Sequence, residues 1–253
     1  MKKILLHISF LGNAYCGYQV QPNAPTVQQK LNEAARSLFG FECDVVGCSR
    51  TDSGVHANMF CATVSKKAED ELVTSIPTDK IPQALSFYLP HDISVYHAEW
   101  VDSGFHPRYD VKYKEYVYRI WNGKTRNPFE FDRSWHYPRK LDDMAVENMR
   151  RAAQRLVGTH DFSSYMAANS AVKSTVRTIY SADVYREGDV ICFKISGDGF
   201  LYNMVRIMTG TLIAVAEGKI SPEDIDKITQ SCNRANAGVT APPHGLYLNK
   251  VVY

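Results

Sequence analysis

Three consecutive pieces decide how this chain is read: Glu42-Cys43-Asp44-Val45-Val46, then Arg50-Thr51-Asp52-Ser53-Gly54-Val55-His56-Ala57, then the run from Asn58 to Ser65. The outer two have the alternation and β-branched content of half-buried strands. The piece between them holds a cation, a carboxylate and a glycine, and such groups do not bury without partners. Strand, charged turn, strand predicts an antiparallel pair with a polar loop at its tip. Asp52 in that loop has two readings. It is an Asx-type turn residue bonding its own backbone, or it is a reactive carboxylate kept ionised by a cation such as Arg50. The local sequence leaves both open.

Working outward, Lys2 to Phe10 reads as a strand, and Leu11 to Pro25 as a loop with more polar and aromatic residues (Asn13, Tyr15, Tyr18, Gln19, Gln21) than a connector needs. Thr26-Val27-Gln28-Gln29 is a capping box, Val27, Leu31, Ala34, Ala35 and Leu38 give the helical period, and Gly40 ends that helix. A second helix is predicted from Asp79 to Tyr88, capped by Thr78 and stopped by Pro90, and a strand from Ile93 to Trp100. The second half has a similar order. Lys112 to Trp121 alternates, with Tyr116, Tyr118 and Ile120 on one face. A long connection runs from Asn122 to Arg139. A helix capped by Asp142 runs to Val157, and two strands follow, Val176 to Tyr185 and Val190 to Ser196. An apolar helix spans Leu201 to Ala216, Ser221-Pro222 opens another, and Leu246 to Tyr253 is a last strand. The pattern predicts an α/β protein of the α+β type: two lobes, residues 1–104 and 105–253, with mainly antiparallel sheets flanked by helices.

The totals set bounds. The chain has 253 residues, of which 45% are apolar and 22% charged, which allows a substantial core. No apolar run approaches the roughly 18–20 residues of a membrane helix. Met-Lys-Lys before Ile4-Leu5-Leu6 resembles a signal peptide, but no small-residue cleavage site follows before Asn13 and Tyr15, so a first strand is expected. The six cysteines form no C-x-x-C pair and have no zinc-finger spacing to histidine. They suit reduced thiols, a cytoplasmic location and no structural metal. A net charge of +2 decides nothing about partners. Lys112, Lys114 and Arg119 interleave with Tyr113, Tyr116 and Tyr118, and Arg150, Arg151 and Arg155 share a helix face. These are RNA-facing surfaces or ordinary solvated faces. Arg206, a cation in an otherwise apolar helix, needs a carboxylate or phosphate partner or a place at the core edge. There is no G-x-x-x-x-G-K-[ST], G-x-S-x-G or H-E-x-x-H.

A family resemblance joins these pieces. Gly47 to Ala57, GCSRTDSGVHA, resembles the signature G-R-T-D-A-G-V-H of the tRNA pseudouridine synthase A family. Gly17-Tyr18-Gln19, Phe105-His106-Pro107-Arg108, Lys114-Glu115-Tyr116-Val117-Tyr118, Gly158-Thr159-His160-Asp161-Phe162, GFLYNMVRIMTG from Gly199 to Gly210 and APPHGLYL from Ala241 to Leu248 resemble its other motifs, in order. The resemblance implies the pseudouridine synthase-like fold with a central catalytic cleft. It implies isomerisation of uridine to pseudouridine in the anticodon stem-loop of tRNA, at positions 38 to 40, by a cytoplasmic homodimer without cofactor or metal. Asp52 falls on the catalytic aspartate, Tyr116 on the active-site tyrosine and Arg206 on the arginine that pairs with the aspartate. Arg50 falls on a base-flipping, RNA-binding arginine, and Leu246 on a leucine under the base. Asp52 then attacks C1′ or takes the C2′ proton, and both routes stay open. The alternative is an RNA-binding or folding factor without activity. The sequence departs from the pattern at Cys48-Ser49, at Ser53, at Asn203 in place of His, and near Ser86, where an Asn is absent.

Overall fold

The computed structural model describes residues 2–168 and 172–253. It divides into two compact units: Met1–Lys112 together with Leu248–Tyr253, and Tyr113–Tyr247. Both mix helices with antiparallel sheet, as the pattern predicts, and among the described residues no helix is long and apolar enough to cross a membrane.

In the first unit, β1 (Lys2–Phe10) is flanked on both sides by antiparallel partners, β3 (His56–Lys66) and β4 (Ile93–Asp102), and β2 (Cys43–Gly47) pairs with β3. Ile4, Leu6, Ile8 and Phe60 are fully buried between sheet and helices. Helix α1 (Val27–Phe39) starts where expected: Thr26 accepts from the Gln29 N–H, and Gly40 at φ 79° closes the other end by donating to Arg36. The expected capping box is only half made, because the Gln29 side chain bonds Glu33 instead of reaching back. The second helix is shorter than expected. It is a 3-10 turn, Thr78–Lys80, followed by α2 (Ile81–Ser86). Pro82 has no N–H to give the Thr78 carbonyl, so the first turn stays tight.

In the second unit the strand order is β5 (Tyr113–Trp121), β9 (Val190–Gly197), β8 (Val176–Glu187) and β7 (Gly158–Asp161), all antiparallel. On β5, Tyr116, Tyr118 and Ile120 are the buried face. The long connection after β5 contains a 3-10 turn at Pro128–Glu130 and a two-residue strand, β6 (Trp135–His136), parallel to β5. Helix α3 (Asp143–Gln154), capped by Asp142, packs on β8 and on α4 (Met204–Ala216). Nearly every residue of α4 is buried, the expectation for a helix apolar all round. A short helix, α5 (Asp224–Gln230), follows. Its start is held by Ser221 donating to Asp224, two residues later than Pro222 predicted. Strand β10 (Leu246–Val252) begins in this unit and completes the first.

Candidate active site

The Asp52 loop belongs to the first unit and is braced by the loop after β1. The Val55 N–H donates to the Asp52 carbonyl at 3.2 Å, closing a tight turn with Gly54 at φ 79°. That is the residue type the left-handed position requires. Around this turn the chain from Gly12 to Tyr18 forms a cradle. The Gly54 N–H and the Ser53 hydroxyl both donate to the Tyr15 carbonyl, at 3.3 and 3.2 Å. The Tyr18 N–H donates to the Thr51 carbonyl at 3.3 Å. The Gly12 N–H donates to Nδ1 of His56, which is fully buried, at 2.9 Å. Two glycines are required by this closeness. A Cβ on Gly12 would lie 1.9 Å from the Val55 carbonyl oxygen. One on Gly17, whose φ is +85°, would collide with the Thr51 carbonyl.

The cradle is itself anchored. Tyr15 donates its hydroxyl to Asp92 at 2.6 Å. Burial, and then the Asp92 carboxylate, push that hydroxyl above the usual tyrosine range, so it stays protonated as a donor. Tyr18 stacks on Phe60 with centroids 4.3 Å apart, and Gly47 leaves room for both rings. The Tyr15 and Tyr18 side chains thus anchor the loop that braces the Asp52 turn.

Within that turn, Asp52 is half-buried and Arg50 is exposed. The Thr51 hydroxyl is buried without a hydrogen-bond partner.

The other expected site residues lie in the second unit. Tyr116 is 7% exposed on β5, its ring edge-on to Phe200 at 4.9 Å. Arg206 is half-buried in the first turn of α4. Its Nε donates to the Ala241 carbonyl at 2.8 Å and its Nη1 to the Asn203 side chain at 2.6 Å. Asn203 sits at φ 60°, a conformation asparagine tolerates better than most residues. It makes no cap to the helix; its amide oxygen is used on Arg206. The departure from the family pattern at Asn203 thus has a defined job.

Leu246 is buried at the start of β10, just after a 3-10 turn at Pro243–Gly245. That segment is tied to β5 by the Tyr118 hydroxyl, which donates to the Pro242 carbonyl at 2.7 Å, and by Gly245, whose missing Cβ leaves room for the Tyr118 ring. It is tied to α4 by Gly210, packed against the backbone at Gly238 and Val239. Strand β5, the start of α4 and residues 238–246 therefore form one fixed group around Arg206.

His244 joins this group and was missed in the sequence, where it was only a letter in APPHGLYL. Burial lowers its pKa most; Asp132 opposes the shift and Arg206 adds to it. The only sequence signal was its place within that run. The arginine face of α3 is a different matter. Arg150 pairs with Asp183 at 3.0 Å, Arg151 with Glu223 at 2.6 Å and Arg155 with Asp226 at 2.5 Å. Likewise Arg119 pairs with Glu130 at 3.0 Å. These cations are neutralised locally and do not make an unopposed basic strip.

Comparison with known proteins gives a consistent result. A family model described as tRNA pseudouridine synthase matches residues 152–253. The tRNA pseudouridine synthase A of Thermoanaerobacter sp. (strain X514) is 42% identical over 253 residues, covering all of both chains. That of Bacillus licheniformis is 44% identical over 248 residues, 97% of each chain. That of Halalkalibacterium halodurans is 43% identical over 247 residues, 97% of this chain and 90% of the relative. A chain from the crystal structure of a Cbf5-Nop10-Gar1 complex overlaps 96% of this chain and 57% of its own length at a TM-score of 0.34 and 12% identity, a likeness too low to bear on the fold. With a relative 42% identical from end to end, the chain belongs to the tRNA pseudouridine synthase A family.

Proposed function

We propose that this protein isomerises uridine to pseudouridine in tRNA, with Asp52 as the reactive carboxylate. The observation that carries the reading is the construction of the Asp52 turn, a half-buried carboxylate on a turn held by four backbone and side-chain bonds from residues 12–18. A solvated Asx-turn needs no such scaffold. A carboxylate that must meet a ribose carbon within a few tenths of an ångström does. The isomerisation breaks N1–C1′, turns the uracil and joins C5 to C1′, and the C5 hydrogen leaves as a proton. Asp52 attacks C1′ or removes the C2′ proton. Tyr116 contacts the loosened uracil and Arg206 keeps Asp52 ionised. Leu246 lies under the base, and exposed Arg50 helps to hold the flipped nucleotide out of its stack.

The substrate on this reading is the anticodon stem-loop, at positions 38 to 40. The enzyme acts in the cytoplasm as a homodimer. The competing reading, an RNA-binding factor without activity, is less favoured because it leaves the rigid Asp52 turn without a purpose.

The test is direct. Unmodified tRNA is incubated with the native protein and with Asp52→Asn, and pseudouridine is mapped. Product from the native protein and none from the variant, with tRNA binding kept by both, is expected. Binding without product from the native protein sinks the isomerase, and product from Asp52→Asn sinks the role of Asp52.

A further inference from the structure

A second group of functional side chains lies on the β1–β4 ladder of the first unit. His7 stands opposite His97 in the register, and Glu99, two residues on, projects from the same face of β4. The ladder slips between His7 and Ile8, leaving Tyr96 as the extra residue of a bulge, a device that re-aims neighbouring side chains. His7 Nε2 is 3.0 Å from Glu99 Oε1, and the His7 and His97 rings meet edge-on at 5.0 Å. One donor atom from each of the three residues lies within 4.8 Å of the others.

We propose that His7, His97 and Glu99 bind a divalent transition-metal ion of the zinc type. In a tetrahedral site with bonds of about 2.0–2.1 Å, donor atoms sit about 3.4 Å apart. The His7–Glu99 separation is already inside that range, and His97 is exposed and free to close the remainder by side-chain rotation. Two imidazole nitrogens and one carboxylate oxygen select zinc-like ions over Mg²⁺ and Ca²⁺, which demand oxygen-rich shells. Three protein ligands leave a fourth position for water, and the exposure of His97 and Glu99 keeps it open. His7 is held on a strand hydrogen-bonded on both sides, so one ligand is rigid and two are adjustable. The bound ion is a cross-link from the terminal strand β4 to its neighbour β1. No spacing rule finds it, since His7 and Glu99 are 92 positions apart.

The proposal does not depend on RNA chemistry, and it is tested on the full chain. Cys16 and Cys232 are exposed thiols that would also take zinc, so the background is Cys16→Ser with Cys232→Ser. After chelator treatment, ZnCl₂ is titrated by calorimetry, and melting is followed with and without Zn²⁺. One ion per chain is expected, with a melting temperature that rises and saturates with Zn²⁺, and excess Mg²⁺ leaves the titration unchanged. His97→Gln and Glu99→Gln each weaken binding by more than about tenfold, while their zinc-free melting temperatures match the parent. Failure of the parent to bind Zn²⁺, or undiminished one-to-one binding in both variants, overturns the proposal.

Discussion

Replacing Gly12 with alanine isolates the claim that the Asp52 turn is held by backbone contact. The added Cβ would lie 1.9 Å from the Val55 oxygen, whereas tolerable contact begins between 3.0 and 3.4 Å. The two backbones must part by 3.0 − 1.9 to 3.4 − 1.9, that is 1.1 to 1.5 Å. No side chain can rotate to absorb this, because the obstacle is main chain. Val55 closes the Asp52 turn through its N–H, and the Gly12 bond to His56 stretches at the same time. Displacement of a reacting group by about 1 Å costs on the order of a hundredfold in rate, and overpacking costs about 1–3 kcal/mol of stability.

The assay follows loss of the C5 hydrogen from tRNA carrying 5-tritiated uridine, alongside thermal melting. Expected are a kcat lower by about a hundredfold and a melting temperature lower by roughly 2–10 °C. Gly40→Ala is the control. Gly40 has φ +79° but nothing within 4 Å of a new Cβ, so the variant carries backbone strain without moving the loop. It should lose stability and keep its kcat. A folded Gly12→Ala enzyme with native kcat, or equal losses in both variants, refutes the reasoning.

Arg206→Lys removes a fork that bonds Ala241 and Asn203 at once, which an ammonium cannot reproduce. At about 1.5–3 kcal/mol for a charged hydrogen bond, steady-state kinetics should show kcat down by roughly ten- to a hundredfold. Tyr118→Phe leaves the Pro242 carbonyl without its donor. Urea unfolding should report a loss of about 1–3 kcal/mol. His244 has a folded pKa below its ordinary 6.5, chiefly through burial. The unfolded chain therefore binds the proton more readily, and stability falls as pH drops through about 6.5 towards the folded value. Melting at a series of pH values should fall less steeply on the acid side for His244→Gln than for the native protein; equal slopes would remove His244 as the cause.

Much of the fold was legible because its signals are local. β1 and α1 could be read from alternation, a threonine cap and a terminal glycine, and the buried face of β5 from its period of two. What was missed depends on partners distant in sequence. β7, four residues long, shows no period and exists because β8 pairs with it. β6, with two residues, is recognisable only beside β5. The end of α3 came earlier than its pattern because residues 155–157 donate to carbonyls three residues back, at Ala152, Ala153 and Gln154, and so close in tighter turns.

Of the expected site residues, Asp52, Tyr116, Arg206 and Leu246 were visible as letters in motifs. The grip of residues 12–18 on the Asp52 turn was not, because it is made of carbonyls and N–H groups that every residue possesses. Asn203 looked like a lapse from the pattern until its amide oxygen was found on Arg206.

The order in which the units are encoded bears on how the protein is made. The unit that carries Asp52 takes its final strand from Leu248–Tyr253, where Lys112 donates to Val252 and the Tyr253 hydroxyl to Pro107. Every residue from Tyr113 to Tyr247 leaves the ribosome before that strand does, a wait on the order of ten seconds at bacterial synthesis rates. The unit bearing Asp52 thus starts first and closes only after the second unit has been made. A chain cut after Tyr247 would have a whole second unit and an Asp52 unit without its closing strand, a natural substrate for chaperones and proteases.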